Sequence, residues 1–189
     1  MILTEAHEAL RTVIRNVPAD GWDLPTPCAE WNVTQVLQHA AGDQIGYAAF
    51  ITGGPMPEEN PFAPSGKLAD APEEVAERAM KASADAWATV SPDAQEVPVP
   101  VPPNTMTYTL GIGACALDAA VHAWDIAKAT GQPSPLTPAM ARELLSIAEQ
   151  HIEPLRTYGV YAAVLDRAEG DDDVAVLLRY LGRDPHWTA

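Results

Sequence analysis

Apolar residues recur every three or four positions along much of this chain, which is the spacing of amphipathic α-helices. The pattern covers five long segments, at residues 2–17, 33–52, 72–90, 107–130 and 137–155. The C-terminal tail adds a short extended piece and one more short helical segment. Long helices joined by irregular loops predict an all-α fold. We expect a four-helix bundle with an extra short C-terminal helix, in a single domain spanning residues 1–189.

Residues at the ends of these segments support the same boundaries. Asn32 with Gln35 three residues later has the pattern of a capping box. Pro72 suits a first helical turn, and Thr137 suits an N-cap. Gly131 is a typical residue just beyond a helix end. Residues 91–105 are rich in Pro and Val, and we expect an extended segment there without continuous strand pairing.

The net charge of the chain limits the classes of molecule that it can bind. It has 26 acidic and 11 basic residues, giving a net charge of −15. This argues against binding to nucleic acid or to an anionic membrane, since both need clustered Lys and Arg. We see no secretory signal pattern and expect no apolar run of membrane-spanning length, about 20 residues. The sequence therefore predicts a cytoplasmic protein with reduced thiols.

One apolar stretch, "LDAAVHAWDIAKATG" at residues 117–131, carries three polar residues on one side. Asp118 and His122 are four residues apart, so their side chains project from the same face of a helix. A carboxylate and an imidazole one turn apart can hold a divalent metal. His39, in the apolar segment "VTQVLQHAAGDQ", could supply a third ligand from another helix. Two histidines and one carboxylate leave positions open for water or substrate.

Simpler interpretations of these residues stay open. A histidine on an apolar helix face is more often a hydrogen-bonded core residue than a ligand. Asp118 and His122 could form a structural pair, or Asp118 could act as a helix cap. For Asp125 we expect a hydrogen bond to its neighbourhood, which includes support of a ligand such as His122. Asp43, one turn after His39, is expected to be solvated or to support a ligand.

The remaining candidate residues are expected to be structural. We predict that His7, His151 and His186 lie on the surface. Cys28 and Cys115 have no visible activating neighbour, so we predict buried, unreactive thiols. The tryptophans are expected to pack in the core; they are Trp22, Trp31, Trp87, Trp124 and Trp187.

Three segments together resemble a known family. "LPTPCAEWNVTQVLQHAAGD" and "DAAVHAWDIAKATG" are similar to the two signatures of the mycothiol-dependent maleylpyruvate isomerase N-terminal domain family, part of the DinB/YfiT-like group of four-helix-bundle metalloenzymes. "LLRYLGRDPHW" resembles the tail of an actinobacterial metal-binding branch of that group. The three matches lie in the right order between residues 22 and 187.

The resemblance implies a DinB-like bundle that holds a divalent metal, with zinc favoured over nickel, through His39, Asp118 and His122. It also implies a small-molecule thiol of the mycothiol type as co-substrate, and homodimers are common in this group. Two features depart from the family. Its carboxylate is usually Glu, where this chain has the shorter Asp118. The true isomerases also have a second α/β domain after the bundle, for which this chain has no room, so we do not expect maleylpyruvate isomerisation itself.

Three functions are consistent with these observations. The first is a metal-dependent thiol S-transferase or isomerase, in which the metal lowers the pKa of a thiol that attacks an electrophile. The second is a metal-binding or structural module without catalysis. The third is a metal-free bundle that acts in dimerisation or interaction, with Asp118 and His122 simply paired.

Overall fold

A computed structural model describes residues 1–188 and shows an all-α architecture. Six helices and one short ladder follow in chain order: α1 (Ile2–Arg15), α2 (Val33–Thr52), α3 (Pro72–Ala88), β1 (Val97–Pro98), β2 (Thr105–Met106), α4 (Tyr108–Ala129), α5 (Pro138–Thr157) and α6 (Asp173–Tyr180). The strands pair antiparallel, with Val97 opposite Met106. The Pro/Val segment therefore holds a two-residue ladder within an otherwise irregular stretch.

Most predicted helix ends are confirmed. The Asn32–Gln35 capping box has both of its hydrogen bonds, and Thr137 accepts a hydrogen bond from the backbone of Met140. Gly131 adopts a left-handed conformation directly after α4. α1 and α3 each end two residues earlier than the apolar pattern predicts. The helical spacing continues past the last intrahelical hydrogen bond, because Val17 and Val90 still pack against the core from the following turns.

Helix α4 is the central element of the fold. It packs against α1, α2 and α5, while α3 packs on α1 and α2, and α6 packs on α5. A single apolar cluster includes residues from all six helices. Small residues allow close packing around α4: a Cβ atom added to Gly113 would lie 2.7 Å from Ile147.

The expectation about membrane-spanning length is wrong for α4. Within residues 1–188, this 22-residue helix alone has the length and apolar composition to cross a membrane. However, 89% of its 18-residue apolar window is buried inside the fold. Such burial is what the central helix of a bundle requires.

Two of the histidines predicted to lie on the surface are buried instead. His7 and His151 are each 5% exposed, whereas His186 is exposed as predicted. His7 bonds to the Gln44 side chain at 2.8 Å, and the His151 Nδ1 lies 3.1 Å from the Ile147 carbonyl oxygen. Their polar sequence neighbours point to solvent, while the imidazoles themselves turn inward to these partners.

The predicted burial of cysteine and tryptophan is confirmed in part. Cys115, Trp87 and Trp124 are buried in the core. Cys28, Trp22, Trp31 and Trp187 are only half-buried. Cys28 and Trp31 belong to the structured loop between α1 and α2, which borders the site described next, so these two side chains face a cavity rather than the core.

Candidate metal centre

Two helices bring His39, Asp118 and His122 together. His39 comes from α2, and the other two lie one turn apart on α4. The Nε2 atoms of His39 and His122 lie 3.4 and 3.3 Å from the same oxygen, Oδ1 of Asp118. All three ligand atoms lie within 4.8 Å of one another, and the three residues are buried.

The outer hydrogen bonds fix which ring nitrogen of each histidine faces inward. Nδ1 of His39 lies 2.8 Å from the carbonyl oxygen of Pro61, which can only accept, so this nitrogen carries the hydrogen. Nδ1 of His122 likewise donates to Asp125 Oδ2 at 2.9 Å. Both rings therefore direct Nε2 at the Asp118 carboxylate. In their neutral form these two nitrogens are lone-pair donors, which is the form that binds a metal.

Asp125 is itself held by an arginine from the C-terminal tail. Arg183 donates to both of its oxygens, at 2.9 Å from Nε and 2.8 Å from Nη2. The Asp125 side chain is completely buried and that of Arg183 is 10% exposed. Burial alone would raise the pKa of Asp125, but Arg183 and then His122 hold it below its usual range. The carboxylate thus stays ionised and keeps the His122 ring in place.

The donor set fits a divalent cation. Three acceptor atoms converge, and Oδ2 of Asp118 is buried without a hydrogen-bond partner. A divalent cation would account for both observations, because it would neutralise the Asp118 carboxylate and accept lone pairs from the three ligand atoms. The separations of 3.3 and 3.4 Å also match the edge of a tetrahedron with metal–ligand bonds of roughly 2.0–2.1 Å, the zinc range. The shorter Asp118 therefore lies at a ligand-to-ligand distance from both imidazoles.

In the metal-free protein, a proton on His122 supplies the positive charge beside the Asp118 carboxylate. Burial alone would lower the pKa of His122, but Asp118 and Asp125 outweigh it and raise the pKa to about 10. Burial would raise the pKa of Asp118, yet His122 and His39 keep it well below its usual range. The metal-free site is therefore an imidazolium beside a carboxylate at neutral pH.

Aromatic rings and one glycine shape the surroundings of His39. Trp31 lies 4.8 Å from the His39 ring and Phe62 lies 5.5 Å from it, both between centroids. The loop that carries Pro61 and Phe62 reaches α2 at Gly42, where an added Cβ would lie 2.8 Å from Pro61 Cγ. Gly42 therefore permits the approach that brings the Pro61 carbonyl to His39.

The three residues face a cavity of about 550 Å³, open to solvent, between α2, α4, α5 and the neighbouring loops. Its volume is in the range of small-molecule sites, roughly 300–1,000 Å³. Asp43, predicted to be solvated or to support a ligand, is buried on this wall, and burial followed by the charge of Asp118 raises its pKa well above the usual value. Tyr161 also lines the cavity; burial and then Asp118 raise the pKa of its hydroxyl, which stays protonated at neutral pH.

Cys28 lies nearer to the site than the sequence predicts. Its Sγ is within 4.8 Å of ligand atoms of His122 and Asp125. This second cluster is a poor metal site, because the Asp125 oxygens already accept hydrogen bonds from His122 and Arg183. Burial raises the pKa of the Cys28 thiol, so thiolate formation is disfavoured there.

The sequence reasoning missed several residues that build the site. Arg183 lies in the tail segment "LLRYLGRDPHW", where no helical spacing or motif marks the arginine as part of a site. Tyr161 and the Pro61 carbonyl lie in irregular segments with no periodic pattern. Asp125 was selected through its position three residues after His122, and the structure places its hydrogen bond on that residue.

A comparison with protein families identifies the family of this chain. The model of the mycothiol maleylpyruvate isomerase N-terminal domain matches residues 3–127, more than half of the chain. The chain belongs to this family. All three residues of the candidate metal centre lie within the part that matches this isomerase domain, whereas Tyr161 and Arg183 lie beyond it.

Two proteins of Mycobacterium tuberculosis are similar to this chain. They are the uncharacterized proteins MT0763 of strain CDC 1551 / Oshkosh and Rv0738 of strain ATCC 25618 / H37Rv. Each is 34% identical to this chain over 153 residues, which cover 79% of the chain and 76% of the relative. No solved structure is significantly similar to this chain.

Proposed function

We propose that this protein is a divalent-metal enzyme that joins a low-molecular-weight thiol to an electrophile, or isomerises the electrophile through such an adduct. The observation that carries the proposal is the convergence of His39, Asp118 and His122 on one point beside the unpartnered Asp118 Oδ2. Membership of a family named for mycothiol supports a thiol of that type. The two-histidine, one-carboxylate set favours zinc, with nickel as the alternative.

In this mechanism His39, Asp118 and His122 would hold the metal. A bound divalent ion lowers the pKa of a thiol, which makes thiolate available at neutral pH. Asp125 and the Pro61 carbonyl keep the two imidazoles oriented, and Trp31 and Phe62 shield His39 from water. The Tyr161 hydroxyl, protonated at neutral pH, can donate a hydrogen bond to a substrate in the cavity.

The transfer itself exchanges one bond for another. The thiol releases its proton to water in the open cavity, its sulfur forms a bond to the electrophilic carbon, and the leaving group departs as an anion with the electrons of the broken bond. In an isomerisation, the thiol instead adds to a double bond and is later eliminated, which regenerates it. The open cavity supports such chemistry over a purely structural metal role, because structural zinc sites are closed by four protein ligands.

Domain organisation, cellular location and oligomeric state are also considered for this protein. We propose that the whole chain acts as one domain, which the single apolar cluster shared by all six helices supports. A cytoplasmic location is supported by the free thiols of Cys28 and Cys115. The homodimer stays a prediction.

Metal content tests the proposal first. Untagged protein, purified without chelator, should contain about one zinc or nickel ion per chain. His122→Ala and Asp118→Asn should lose it. Asp118→Glu, which restores the usual family carboxylate, should keep it, and His186→Ala serves as the control for an exposed histidine outside the site.

Activity is then measured on the zinc-loaded protein with mycothiol and 1-chloro-2,4-dinitrobenzene. Transfer that requires both zinc and His122 would support the enzyme. Metal binding without transfer to any of a panel of generic electrophiles would favour the non-catalytic module. Absence of metal from the wild type, with no uptake on adding zinc, would contradict the metal site altogether.

A further inference from the structure

A second cavity adjoins the metal cavity. It has a volume of about 370 Å³ and lies between α2, the loop after α2, and the Pro-rich segment before β2. Asp43, Phe62 and Val101 line both cavities, so the two meet at these residues. A molecule in the second cavity therefore extends directly toward the ligands of the candidate metal centre. We call this second cavity the side groove.

The wall of the side groove is mainly apolar. The apolar side chains that line it are Phe50, Met56, Pro57, Pro61, Phe62, Pro100 and Val101. Met56 and Phe62 are 57% and 54% exposed, so their apolar surface is accessible to a ligand in the groove. Gly46 contributes no side chain to the wall; an added Cβ would lie 3.6 Å from Pro100. The groove thus has the shape and the surface to accept an apolar group.

The charges around both cavities disfavour an anion. The carboxylates of Glu58 and Glu59 border the side groove. Within residues 1–188, no lysine lines either cavity, and Arg183 is the sole arginine that does. Its guanidinium is already bound to both oxygens of Asp125. His151, whose pKa is lowered by burial, is neutral at neutral pH.

A bound metal would not make the two cavities favourable for an anion. Its two positive charges would be met by the Asp118 carboxylate and by the negative charge of the thiol. A carboxylate on the second substrate would therefore be desolvated without a cationic partner, which is strongly unfavourable. The net charge of −15 adds long-range repulsion of anions.

We infer that the electrophile of this enzyme is a largely apolar small molecule without a negative charge, whose apolar part binds in the side groove. This inference rests on the proposed function, since it names the substrate class of the same site. A dicarboxylate such as maleylpyruvate does not fit these walls. Asp43, Phe62 and Val101 lie where the apolar part joins the reacting part.

Binding of unreactive probes tests the inference without any turnover. 3-Nitrotoluene, 3-nitrobenzoate and 3-nitrobenzylammonium share one ring and differ only in a neutral, anionic or cationic substituent. Their affinities for the zinc-loaded full chain, saturated with mycothiol, are measured by NMR titration. We expect 3-nitrotoluene to bind at least about tenfold more tightly than 3-nitrobenzoate. Binding of 3-nitrobenzoate that is comparable to or tighter than that of either other probe would overturn the inference.

Two variants locate the probe. Met56→Ala should weaken 3-nitrotoluene binding about threefold to tenfold, because it removes apolar contact from an exposed wall residue. Gly46→Leu should fill the groove and abolish binding. Val164→Ala, at an apolar residue that is 50% exposed and outside both cavities, is the matched control. Unchanged binding in both groove variants would overturn the location.

Zinc content is measured on the same samples. If zinc is present and the probes show no preference, the substrate class is wrong while the metal site stands. If zinc is absent, the proposed function itself has failed. The two failures are therefore distinguishable.

Discussion

Arg183 binds Asp125 through two hydrogen bonds of 2.8 and 2.9 Å, although 58 residues separate them in the chain. Asp125 in turn accepts a hydrogen bond from His122, so the C-terminal tail takes part in orienting a candidate metal ligand. Both charges are buried together. Their removal one at a time should therefore affect the stability of the fold and the affinity for metal together.

We expect Arg183→Met to lower the free energy of unfolding by about 3–5 kcal/mol, because it leaves a buried carboxylate without its partner. Metal affinity should fall about tenfold to a hundredfold, since Asp125 then no longer fixes the His122 ring. Urea unfolding and zinc titration against a competing chelator measure the two effects. Arg183→Lys, which keeps the charge but not the paired contact, should be intermediate.

Arg142→Met provides the control for this prediction. Arg142 pairs with Asp173 on the surface, where the arginine side chain is 61% exposed. Such pairs contribute about 0–1 kcal/mol. If both variants lost the same stability, Arg183 would be no more important than a surface arginine.

Gly42→Ala should weaken the metal site through the loop that carries Pro61. Its Cβ would lie 2.8 Å from Pro61 Cγ, so the loop must move away from α2 and its carbonyl from His39. We expect zinc affinity to drop about tenfold or more, with helix content unchanged. Chelator competition and circular dichroism test this.

Gly46→Ala, one turn further along α2, is the matched control, because its Cβ would make an ordinary contact of 3.6 Å with Pro100. This control should bind zinc like the wild type. Equal zinc affinities of the two alanine variants would show that the Pro61 contact does not support His39.

Zinc binding near pH 7 should release about one proton. The pKa of His122 is raised to about 10 in the metal-free protein, chiefly by Asp118 once the opposing effect of burial is overcome, so the metal must displace a proton from Nε2. Apparent affinity should consequently fall about tenfold for each pH unit below 10, as long as the other ligand states stay constant. Calorimetry in buffers of different ionisation enthalpy counts the protons. Zinc binding without proton release would mean that His122 is already neutral.

The metal-free protein should lose stability as the pH falls below about 6.5. Burial lowers the pKa of His7 and of His151 from the ordinary value of 6.5. In this range the unfolded chain binds protons that the folded chain does not, so the free energy of unfolding decreases with falling pH. The contribution of each histidine is fully present above pH 6.5 and is lost as the pH falls toward the lowered folded pKa.

Urea unfolding at pH 7.5 and pH 5.5 measures this loss. His151→Leu should reduce the difference between the two pH values, and His186→Leu should not, because His186 is exposed. His122 changes in the opposite direction between pH 7.5 and about 6.5, because its raised pKa makes its stabilising contribution grow as the pH falls to 6.5. This change is the same in the wild type and in both variants, so it cancels when their pH differences are compared. An unchanged difference in His151→Leu would contradict the assignment.

The local spacing of apolar and polar residues was sufficient to predict the helices and some residues of the candidate site. The spacing of Asp118 and His122 places both on one helix face, and the apolar context of His39 indicates an inward-facing residue. The same method failed for His7 and His151. Their inward partners are Gln44, 37 residues away, and a backbone carbonyl, and neither leaves a periodic signal in the sequence.

The parts of the site that could not be predicted depend on contacts between irregular segments that are distant in the sequence. The Pro61 carbonyl reaches His39 only because a loop crosses α2 at a glycine. Arg183 reaches Asp125 only because the tail after α6 folds back onto α4. Neither contact follows from helix periodicity or propensity, which report the structure of a segment but not the path of the chain between segments.

The Arg183–Asp125 pair also decides which piece of the chain can be studied in isolation. A fragment that ended at residue 127, where the family match ends, would retain His39, Asp118 and His122 but not the guanidinium that neutralises Asp125. Such a fragment would expose the apolar face of α4 that α5 covers and would leave a buried carboxylate uncompensated. The smallest unit able to assemble this centre therefore extends at least to residue 183, well past the end of the family match.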